Sequence, residues 1–356
     1  MRAAILRNGA MVVDDIDDLT PAAGQVLVET IACGICGSDL HTVDHADEMV
    51  EVALDAGSAT FDFDPGKDLV MGHEVSVRVL EVGEGVTGVE PGTEAAAMPM
   101  LMTENGIAVP GYDNTYPGGY CERMLLDPGA LRPIPNGLEA RLAALTEPLA
   151  VGLHAVNQSS VAEGNPRPAI VIGAGPVGLS VIASLALTGA QPIIASDFSP
   201  RRRALAAEMG AHVVLDPGTA PDRQAGFNQA VQALSDEGAL DPESPPVIFE
   251  AVGVPGMIDM AMTGMPNGSE LVVVGVCMEH DSFRPMMGIF KRLTMKFVLG
   301  WSPEEFAQSL HHLAEGLIDG TKLVSGEVGL DDVPASFAAL ADPEEHVKIL
   351  VRPNGS

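Results

Sequence analysis

One glycine-rich turn constrains the fold of this chain more than any other part of its sequence. The apolar run Ala169–Ile172 leads directly into GAGPVG at residues 173–178, and an apolar helical stretch follows. In such a turn Gly173 permits the sharp change of direction, Gly175 lets the backbone approach a pyrophosphate, and Gly178 lets the helix pack close to the strand. The pattern predicts a dinucleotide-binding unit, with the pyrophosphate at the positive end of the helix dipole.

Strand-like runs alternate with helical stretches from residue 169 onward, which is typical of a doubly wound parallel sheet. The loops after the last two strands should lie at the carboxyl ends of the sheet, where a cofactor binds. For Val276 an ordinary strand end is an equally good interpretation, and Glu250 either bonds locally or faces the cofactor. The predicted strands are 169–172, 192–196, 212–215, 247–250 and 271–276. The candidate cofactor contacts are Gly173, Gly175, Pro176, Val177, Gly178, Asp197, Arg202, Val252, Gly275 and Val276.

An acidic residue after the second strand indicates which nicotinamide cofactor binds. Asp197 follows the last glycine of the turn by 19 residues. Its carboxylate can accept hydrogen bonds from both ribose hydroxyls and would repel a 2'-phosphate, which favours NAD over NADP. The run Arg201–Arg203 is the opposing signal, because arginines hold that phosphate in NADP enzymes. The same run is also expected of surface residues in the first turn of a helix, with one of them over the adenine. Because the acidic residue is retained, NAD is predicted and NADP is less favoured.

Before residue 141 the sequence has a different character. Short β-rich runs at residues 3–6, 25–30 and 76–82 predict a mostly-β beginning. An acidic segment at 42–68, with one or two helical turns near Met49–Leu54, fits either a solvated surface excursion or a flap over an active site. A helical stretch is predicted at residues 142–155.

Three dispersed groups are candidates for a metal site. The stretch from Cys33 to His41 combines thiols, a hydroxyl, a carboxylate and an imidazole, and His73 and Glu147 follow downstream. A catalytic zinc takes three protein ligands and keeps one position open. Each residue alone fits the hydrophobic core as well, as a small buried cysteine or a satisfied histidine. Taken together with Cys36, they favour a metal.

Charge and composition exclude several classes of function. The formal net charge is -30, from 49 acidic and 19 basic residues, which argues against binding to a nucleic-acid backbone. No apolar run reaches the length of a membrane helix, and the first residues lack a secretory apolar core. The four cysteines make no disulfide framework, so a cytoplasmic protein is expected. The acidic balance also suggests a salt-tolerant source.

The chain resembles the zinc-dependent medium-chain alcohol dehydrogenases over essentially its whole length, and more closely their polyol and sorbitol dehydrogenase branch. The motifs are CGICGSDLH at 33–41, GHE at 72–74, GGY at 118–120, TEPLAVGLHA at 146–155 and GAGPVG at 173–178. The resemblance implies an α/β protein in which a mostly-β, GroES-like catalytic domain (1–152 and 298–356) surrounds a Rossmann NAD-binding domain (153–297).

The resemblance also assigns roles within the site. It implies that Cys36, His73 and Glu147 are the zinc ligands, that Glu74 is an exchangeable fourth group, and that Asp39 orients His73 through its other ring nitrogen. Cys33 is a neighbour rather than a ligand. Ser38 would be the first carrier of the departing proton and His41 the far end of that relay. The expected catalytic residues are therefore Cys36, Ser38, His41, His73 and Glu74.

The sequence departs from this family in ways that shape the prediction. The lobe at residues 97–117, where many members carry four cysteines around a structural zinc, contains no cysteine, so one zinc per subunit is predicted. Gly37 stands where some members have a basic residue, and the acidic segment 42–68 is longer than in compact members. This segment, with the surroundings of Trp301 and the loop after Gly275, is the candidate substrate determinant. Its Phe61 and Phe63 either line a mixed pocket or pin the segment to the body of the protein.

The predicted reaction is NAD-dependent oxidation of a small secondary alcohol or polyol by a homodimer or homotetramer, with the run 293–299 near an exposed sheet edge. Two alternatives remain open. One is a zinc-free NADPH-dependent quinone or enoyl reductase of the same fold. The other is a nucleotide-binding protein without catalysis.

Overall fold

The computed structural model describes residues 1–58, 61, 63–161, 167–340, 342, 344 and 346–355. Parts of the acidic segment 42–68, at residues 59, 60 and 62, lie outside this description. Contacts between residues divide the chain into two compact units, Met1–Glu147 with Leu310–Ser356 and Pro148–Ser309. The domain limits after residues 152 and 297 stay a prediction. Within the described residues, no helix combines the length and the apolar character that crossing a membrane requires.

The strands of the described chain fall into a β-rich first unit and a sheet in the second unit. They are β1 (Arg2–Arg7), β2 (Ala10–Asp15), β3 (Val26–Gly34), β4 (Glu74–Val82), β5 (Glu94–Ala97), β6 (Leu101–Thr103), β7 (Gly106–Ala108), β8 (Arg123–Leu126), β9 (Leu131–Pro133), β10 (Ala169–Ile172), β11 (Ile193–Ser196), β12 (Val213–Leu215), β13 (Val247–Glu250), β14 (Glu270–Val273), β15 (Thr294–Phe297), β16 (Val324–Val328) and β17 (Lys348–Val351).

The α-helices connect or flank these strands. They are α1 (Gly37–Asp55), α2 (Thr146–Gln158), α3 (Pro176–Thr188), α4 (Pro200–Glu208), α5 (Arg223–Asp236), α6 (Met257–Gly264), α7 (Pro285–Lys291), α8 (Pro303–Ala314) and α9 (Val333–Ala339).

The first unit is built on a seven-stranded sheet. Its strand order is β16-β17-β3-β4-β5-β9, and β8 also pairs with β3. Strand β3 runs antiparallel to β4, with Gly34 opposite Glu74. Buried apolar side chains from β1, β3, β4 and β8 form one core, in which Ile5, Val28, Val77 and Met124 are almost fully buried. This sheet confirms the predicted mostly-β architecture and brings the ends of β3 and β4 together.

The second unit is a six-stranded, all-parallel sheet in the order β12-β11-β10-β13-β14-β15. The order reverses between β10 and β13, and such a switch point is where open α/β sheets bind ligands. Gly173 has φ +89°, and a Cβ at Gly178 would overlap the carbonyl oxygen of Gly173. The doubly wound fold is thereby confirmed, and both glycines are sterically required at these positions.

Several predicted elements have different limits in the structure, and three of them illustrate why. Strand β14 ends at Val273 rather than 276, because Gly275 packs so closely on Gly253 that a Cβ would overlap its backbone nitrogen. The stretch 142–155 divides into a 3-10 helix, Ala140–Leu145, and α2. The short turn expected near Met49 belongs to α1, which already begins at Gly37 and has a non-helical residue at His45.

Candidate functional site

Three donor groups converge in the first unit. Atoms of the Cys36 thiol, the His73 imidazole and the Glu74 carboxylate all lie within 4.8 Å of one another. His73 and Glu74 are buried, whereas Cys36 is half-buried. A thiolate, an imidazole and a carboxylate are all ligands that zinc accepts. Among the described residues, this is the group of histidine, cysteine and acidic side chains that meets the geometry of a metal site, and its donor set fits zinc.

The pairing of β3 with β4 creates this convergence. Gly34 lies opposite Glu74 in the antiparallel register, and a Cβ at Gly34 would overlap the Glu74 carboxylate. Cys36 follows Gly34 by two residues and precedes the first turn of α1, while His73 immediately precedes β4. Residues that are distant in sequence therefore meet at one end of the sheet, and glycine is needed there because the carboxylate occupies the space of a side chain.

Asp39 joins the start of α1 to His73. Its carboxylate accepts hydrogen bonds from the backbone N–H of Cys36 at 2.9 Å and from the hydroxyl of Tyr120 at 2.6 Å. Its Oδ1 lies 3.5 Å from Nδ1 of His73. Burial raises the pKa of Asp39, but the His73 charge and these hydrogen bonds outweigh it and hold the pKa below its usual value. An ionised Asp39 beside Nδ1 is the arrangement that orients a ligating imidazole.

Glu74 is held by a lysine that sequence reasoning missed. Lys348, on β17, donates from Nζ to both carboxylate oxygens of Glu74, at 2.6 and 2.8 Å, and to the carbonyl oxygen of Ile35 at 2.9 Å. Burial lowers the lysine pKa, but the charges of Glu74, Cys36 and Glu147 raise it above its usual value. The available signal was a lysine in the otherwise apolar run Val347–Val351.

Glu147 lies in the first turn of α2 and is buried. It does not belong to the group formed by Cys36, His73 and Glu74. Its charge nevertheless helps to raise the pKa of buried Lys348. The structure therefore brings together three of the four predicted ligands within 4.8 Å, and the ligand role of Glu147 stays a prediction.

The predicted proton carriers occupy the first turns of α1. Ser38 and His41 lie three residues apart, on one face of the helix. Burial and the neighbouring His45 charge lower the pKa of His41. The Ser38 hydroxyl accepts a hydrogen bond of 2.8 Å from the hydroxyl of Tyr112, a residue that sequence reasoning missed because an irregular loop supplies it.

The cysteine-free lobe is held by packing and backbone contacts. Strands β6 and β7 form a hairpin, and Leu101 and Ala108 from it pack with Leu27 and Leu125. Asn114 donates to the carbonyl oxygens of residues 64 and 68 and accepts from the N–H of residue 64. Close backbone approach completes the attachment, because a Cβ at Gly111 or Gly118 would press on Gly72.

The predicted cofactor contacts in the second unit are also brought together. Asp197 accepts from the N–H groups of Ala174, in the glycine turn, and of Ser199, at 2.7 and 2.8 Å. Arg202 points toward the same turn, with a guanidinium nitrogen 3.8 Å from where a Cβ of Gly175 would stand. Arg203 instead donates to the carbonyl oxygens of residues 197 and 198, which is a structural role.

The loops after β13 and β14 meet at the carboxyl edge of the sheet. A Cβ at Gly253 would overlap the backbone of Val276. Val252 and Val276 are about two-fifths exposed. Glu250 accepts from the N–H groups of residues 252 and 253 at 2.7 and 2.9 Å, so it bonds locally, and burial raises its pKa. Helix α3 starts beside this edge. Its N-cap residue is Gly175, and its first residues are Pro176, Val177 and Gly178.

Comparison with known proteins gives consistent matches along the chain. The family model described as "Alcohol dehydrogenase GroES-like domain" matches residues 22–136, and "Zinc-binding dehydrogenase" matches residues 176–315. The (R,R)-butanediol dehydrogenase of Bacillus subtilis is 32% identical over 365 residues, with 99% of this chain and 100% of the relative covered. The sorbitol dehydrogenase of Bos taurus is 29% identical, with 95% of this chain and 94% of the relative covered.

Solved structures with the same fold cover both units. The crystal structure of 2R,3R-butanediol dehydrogenase from Bacillus subtilis has a TM-score of 0.81 at 30% identity and covers 99% of each chain. A candidate zinc-binding dehydrogenase from Sinorhizobium meliloti, solved with NADP, also has a TM-score of 0.81, at 25% identity and the same coverage.

Proposed function

Since this chain belongs to the zinc-dependent medium-chain dehydrogenases, in their polyol dehydrogenase-like branch, we propose that it transfers hydride reversibly between a secondary alcohol or polyol and NAD, using one catalytic zinc ion. It is an oxidoreductase that acts on CH–OH donors. The observation that carries the proposal is the convergence of Cys36, His73 and Glu74 within 4.8 Å.

The zinc site is proposed to use Cys36, His73 and Glu147, with Glu74 as an exchangeable fourth group. Bound zinc would supply Lewis acidity that lowers the pKa of the alcohol hydroxyl toward neutrality. Asp39 Oδ1 lies 3.5 Å from Nδ1 of His73, and a hydrogen bond between them in the zinc-loaded protein would hold the imidazole in one tautomer. Lys348 holds Glu74 by both oxygens, and release from this lysine would free the carboxylate.

The proton of the alcohol is proposed to leave through Ser38 and His41. One O–H bond of the alcohol breaks as a new one forms at Ser38 Oγ, and the former Ser38 proton passes toward His41. Burial and the charge of His45 lower the pKa of His41, which favours the neutral imidazole, the form that can accept a proton. Bound NAD would supply the hydride acceptor for the alcohol carbon.

NAD is the proposed cofactor because Asp197 closes the end of β11 with a negative charge. Its carboxylate lies beside the N–H of Ala174, where a ribose 2'-phosphate would meet electrostatic repulsion. Arg202 near the glycine turn and the NADP-bound relative support NADP as the competing assignment. The direct test is titration of the protein with NADH and NADPH.

The substrate class is proposed from the relatives. Several are named as dehydrogenases of butanediol or sorbitol, and these compounds carry hydroxyl groups on neighbouring carbons. A small vicinal diol or polyol is therefore the first substrate to try.

The five acidic side chains of α1 at positions 44, 47, 48, 51 and 55 are all exposed, so this helix presents a solvated acidic face over that part of its length.

A homodimer is proposed through the edge strand β15, with a tetramer as the alternative. β15 pairs with β14 on one side only within the described chain. Four large apolar side chains on or near this edge are exposed by two-thirds or more: Ile289, Phe290, Phe297 and Leu299. An unpaired strand edge beside exposed apolar side chains is suited to pairing with a second copy across a two-fold axis.

Metal analysis and a substrate screen test the proposal together. The purified protein should contain about one zinc per chain and should reduce NAD with a vicinal diol or polyol. Cys36→Ala should abolish turnover while NADH still binds, because the cofactor contacts lie in the second unit. Metal-free protein that reduces quinones with NADPH would instead support the zinc-free reductase, and nucleotide binding without turnover of any alcohol would support the non-catalytic alternative.

A further inference from the structure

Tyr112 connects the cysteine-free lobe to the proposed proton relay. Its hydroxyl donates a hydrogen bond of 2.8 Å to Ser38 Oγ across 74 residues of sequence. The tyrosine side chain is buried, with 5% of the residue exposed. The lobe that lacks cysteine therefore contributes a polar group directly to the start of α1, beside Cys36.

The hydrogen bond from Tyr112 determines which hydrogen-bonding groups of Ser38 stay available for proton transfer. A serine hydroxyl has one proton to donate and two lone pairs that accept. Tyr112 occupies one of the lone pairs. One lone pair and one proton remain, and a relay needs this combination: the lone pair receives the alcohol proton and the Ser38 proton is passed on. A donor to Oγ also favours negative charge on that oxygen while the two protons move.

Two neighbouring aromatic rings pack against Tyr112. The centroid of the His73 ring is 5.2 Å away, and that of Phe61 is 4.6 Å away in an edge-on arrangement. The backbone on either side is fixed as well, by Gly111 against Gly72 and by the side-chain hydrogen bonds of Asn114. The hydroxyl is consequently presented to Ser38 from a rigid support, as an oriented catalytic group requires.

We propose that Tyr112 is a positioning residue for alcohol oxidation, which acts by fixing the orientation of the Ser38 hydroxyl. The inference rests on the proposed function, because Tyr112 acts through the relay that begins at Ser38. It assigns to the cysteine-free lobe a part in proton transfer.

The first experiment removes the hydroxyl and keeps the ring. Tyr112→Phe, tested with the best vicinal diol or polyol and NAD, should lower kcat roughly threefold to tenfold, the factor expected for one lost hydrogen bond. KM for the alcohol, the affinity for NADH, the zinc content and Tm should stay near wild-type values. Tyr116→Phe is the matched control: Tyr116 belongs to the same lobe but packs on the Leu101 cluster, so its kcat should not change.

A double-mutant cycle with Ser38 separates positioning from general structural support. Ser38→Ala should lower kcat more strongly than Tyr112→Phe does, and adding Tyr112→Phe to Ser38→Ala should produce no further loss. If the tyrosine only supports the lobe, its effect would be the same in both backgrounds. Tyr112→Leu, which also removes the ring, should change the visible spectrum of the Co²⁺-substituted protein because the ring contacts His73, whereas Tyr112→Phe should leave the spectrum unchanged.

The outcomes distinguish this inference from the proposed function. A wild-type protein that oxidises alcohols and a Tyr112→Phe variant with equal kcat would overturn the positioning role and leave the proposed function intact. Equal losses from Tyr112→Phe with and without Ser38 would also overturn it. A zinc-loaded wild-type protein that oxidises no alcohol would overturn both proposals.

Discussion

Nζ of Lys348 lies 2.6 and 2.8 Å from the two carboxylate oxygens of Glu74, and both side chains are almost completely buried. Lys348→Met leaves the Glu74 carboxylate in a low-dielectric interior without its counter-ion. We expect the metal-free protein to lose about 3–5 kcal/mol of unfolding free energy, the usual cost of breaking a buried pair. Urea unfolding measures this loss.

Two further variants serve as controls for the stability loss expected in Lys348→Met. Lys348→Met combined with Glu74→Gln should recover part of the lost stability, because no uncompensated charge remains. Arg2→Met, which removes an exposed partner of Asp331, should change stability little. A loss for Lys348→Met no larger than that for Arg2→Met would contradict the prediction.

Tyr120→Phe is expected to weaken metal binding. The substitution removes the hydroxyl that donates to Asp39 at 2.6 Å and leaves that buried carboxylate with fewer partners beside His73. Loss of a group that supports a ligand lowers zinc affinity by about tenfold to a hundredfold, and the lost hydrogen bond should cost about 1–3 kcal/mol of stability. Competition with a chelator measures the affinity. Equal zinc affinity in Tyr120→Phe and Tyr116→Phe would show that Asp39 does not need this donor.

Asp197→Asn is expected to shift the cofactor preference. The amide keeps the size of the side chain but removes the negative charge at the end of β11, so NADH should bind roughly tenfold more weakly and NADPH more strongly. Fluorescence titration of both nucleotides gives the ratio. Arg202→Ala is the companion variant, and it should weaken NADPH more than NADH if its guanidinium, which points to the glycine turn, meets the 2'-phosphate. An unchanged ratio in Asp197→Asn would remove the basis for assigning NAD.

Phe297→Asp with Leu299→Asp is expected to separate the proposed dimer. Both apolar side chains, at the end of β15 and two residues beyond it, are more than two-thirds exposed, and paired copies would place four carboxylates against each other at the two-fold axis. Sedimentation should change from a dimer to a 37.0 kDa species. Leu187→Asp, on α3 in the same unit and 40% exposed, should sediment like the wild type. A wild-type protein that already sediments as a single chain would contradict the dimer.

Added salt is expected to stabilise this protein. With a formal net charge of -30, like charges repel across the surface, and raising ionic strength from about 0.1 M to 1 M shortens the screening length from about 10 Å to about 3 Å. Tm should therefore rise with KCl, and activity should persist. Sucrose at matched osmolality is the control for a general solute effect. Activity that collapses on addition of salt would contradict the prediction.

The parts of the fold that sequence predicts well are those fixed by local steric requirements. Gly173 and Gly178 define a strand-turn-helix unit because their backbone leaves no space for side chains, and the pattern is readable within a few residues. The same locality explains the error in β14. An apolar run continues to Val276, but the strand ends where Gly275 meets Gly253, and this contact comes from a different part of the chain.

The missed residues of the site have a common physical reason. Lys348 reaches Glu74 through the pairing of β17 with β3, across 274 residues. Tyr112 reaches Ser38 from an irregular loop without periodicity. In both cases the sequence shows a residue type but carries no information on its neighbour. The candidate donors and Asp39 beside His73 were predictable from motifs, whereas Lys348 and Tyr112 were not.

The attachment of the cysteine-free lobe bears on how the fold of this protein responds to the removal of zinc. A lobe that folds around its own structural zinc unfolds when that ion is removed, because metal binding supplies its folding free energy. In this protein the lobe is held without thiolate ligands. The contacts that hold it are the β6–β7 hairpin, the apolar cluster around Leu101, the hydrogen bonds of Asn114 and the close-packed glycines. Removal of the proposed catalytic zinc should therefore abolish activity without unfolding the lobe, and activity should return when zinc is added back.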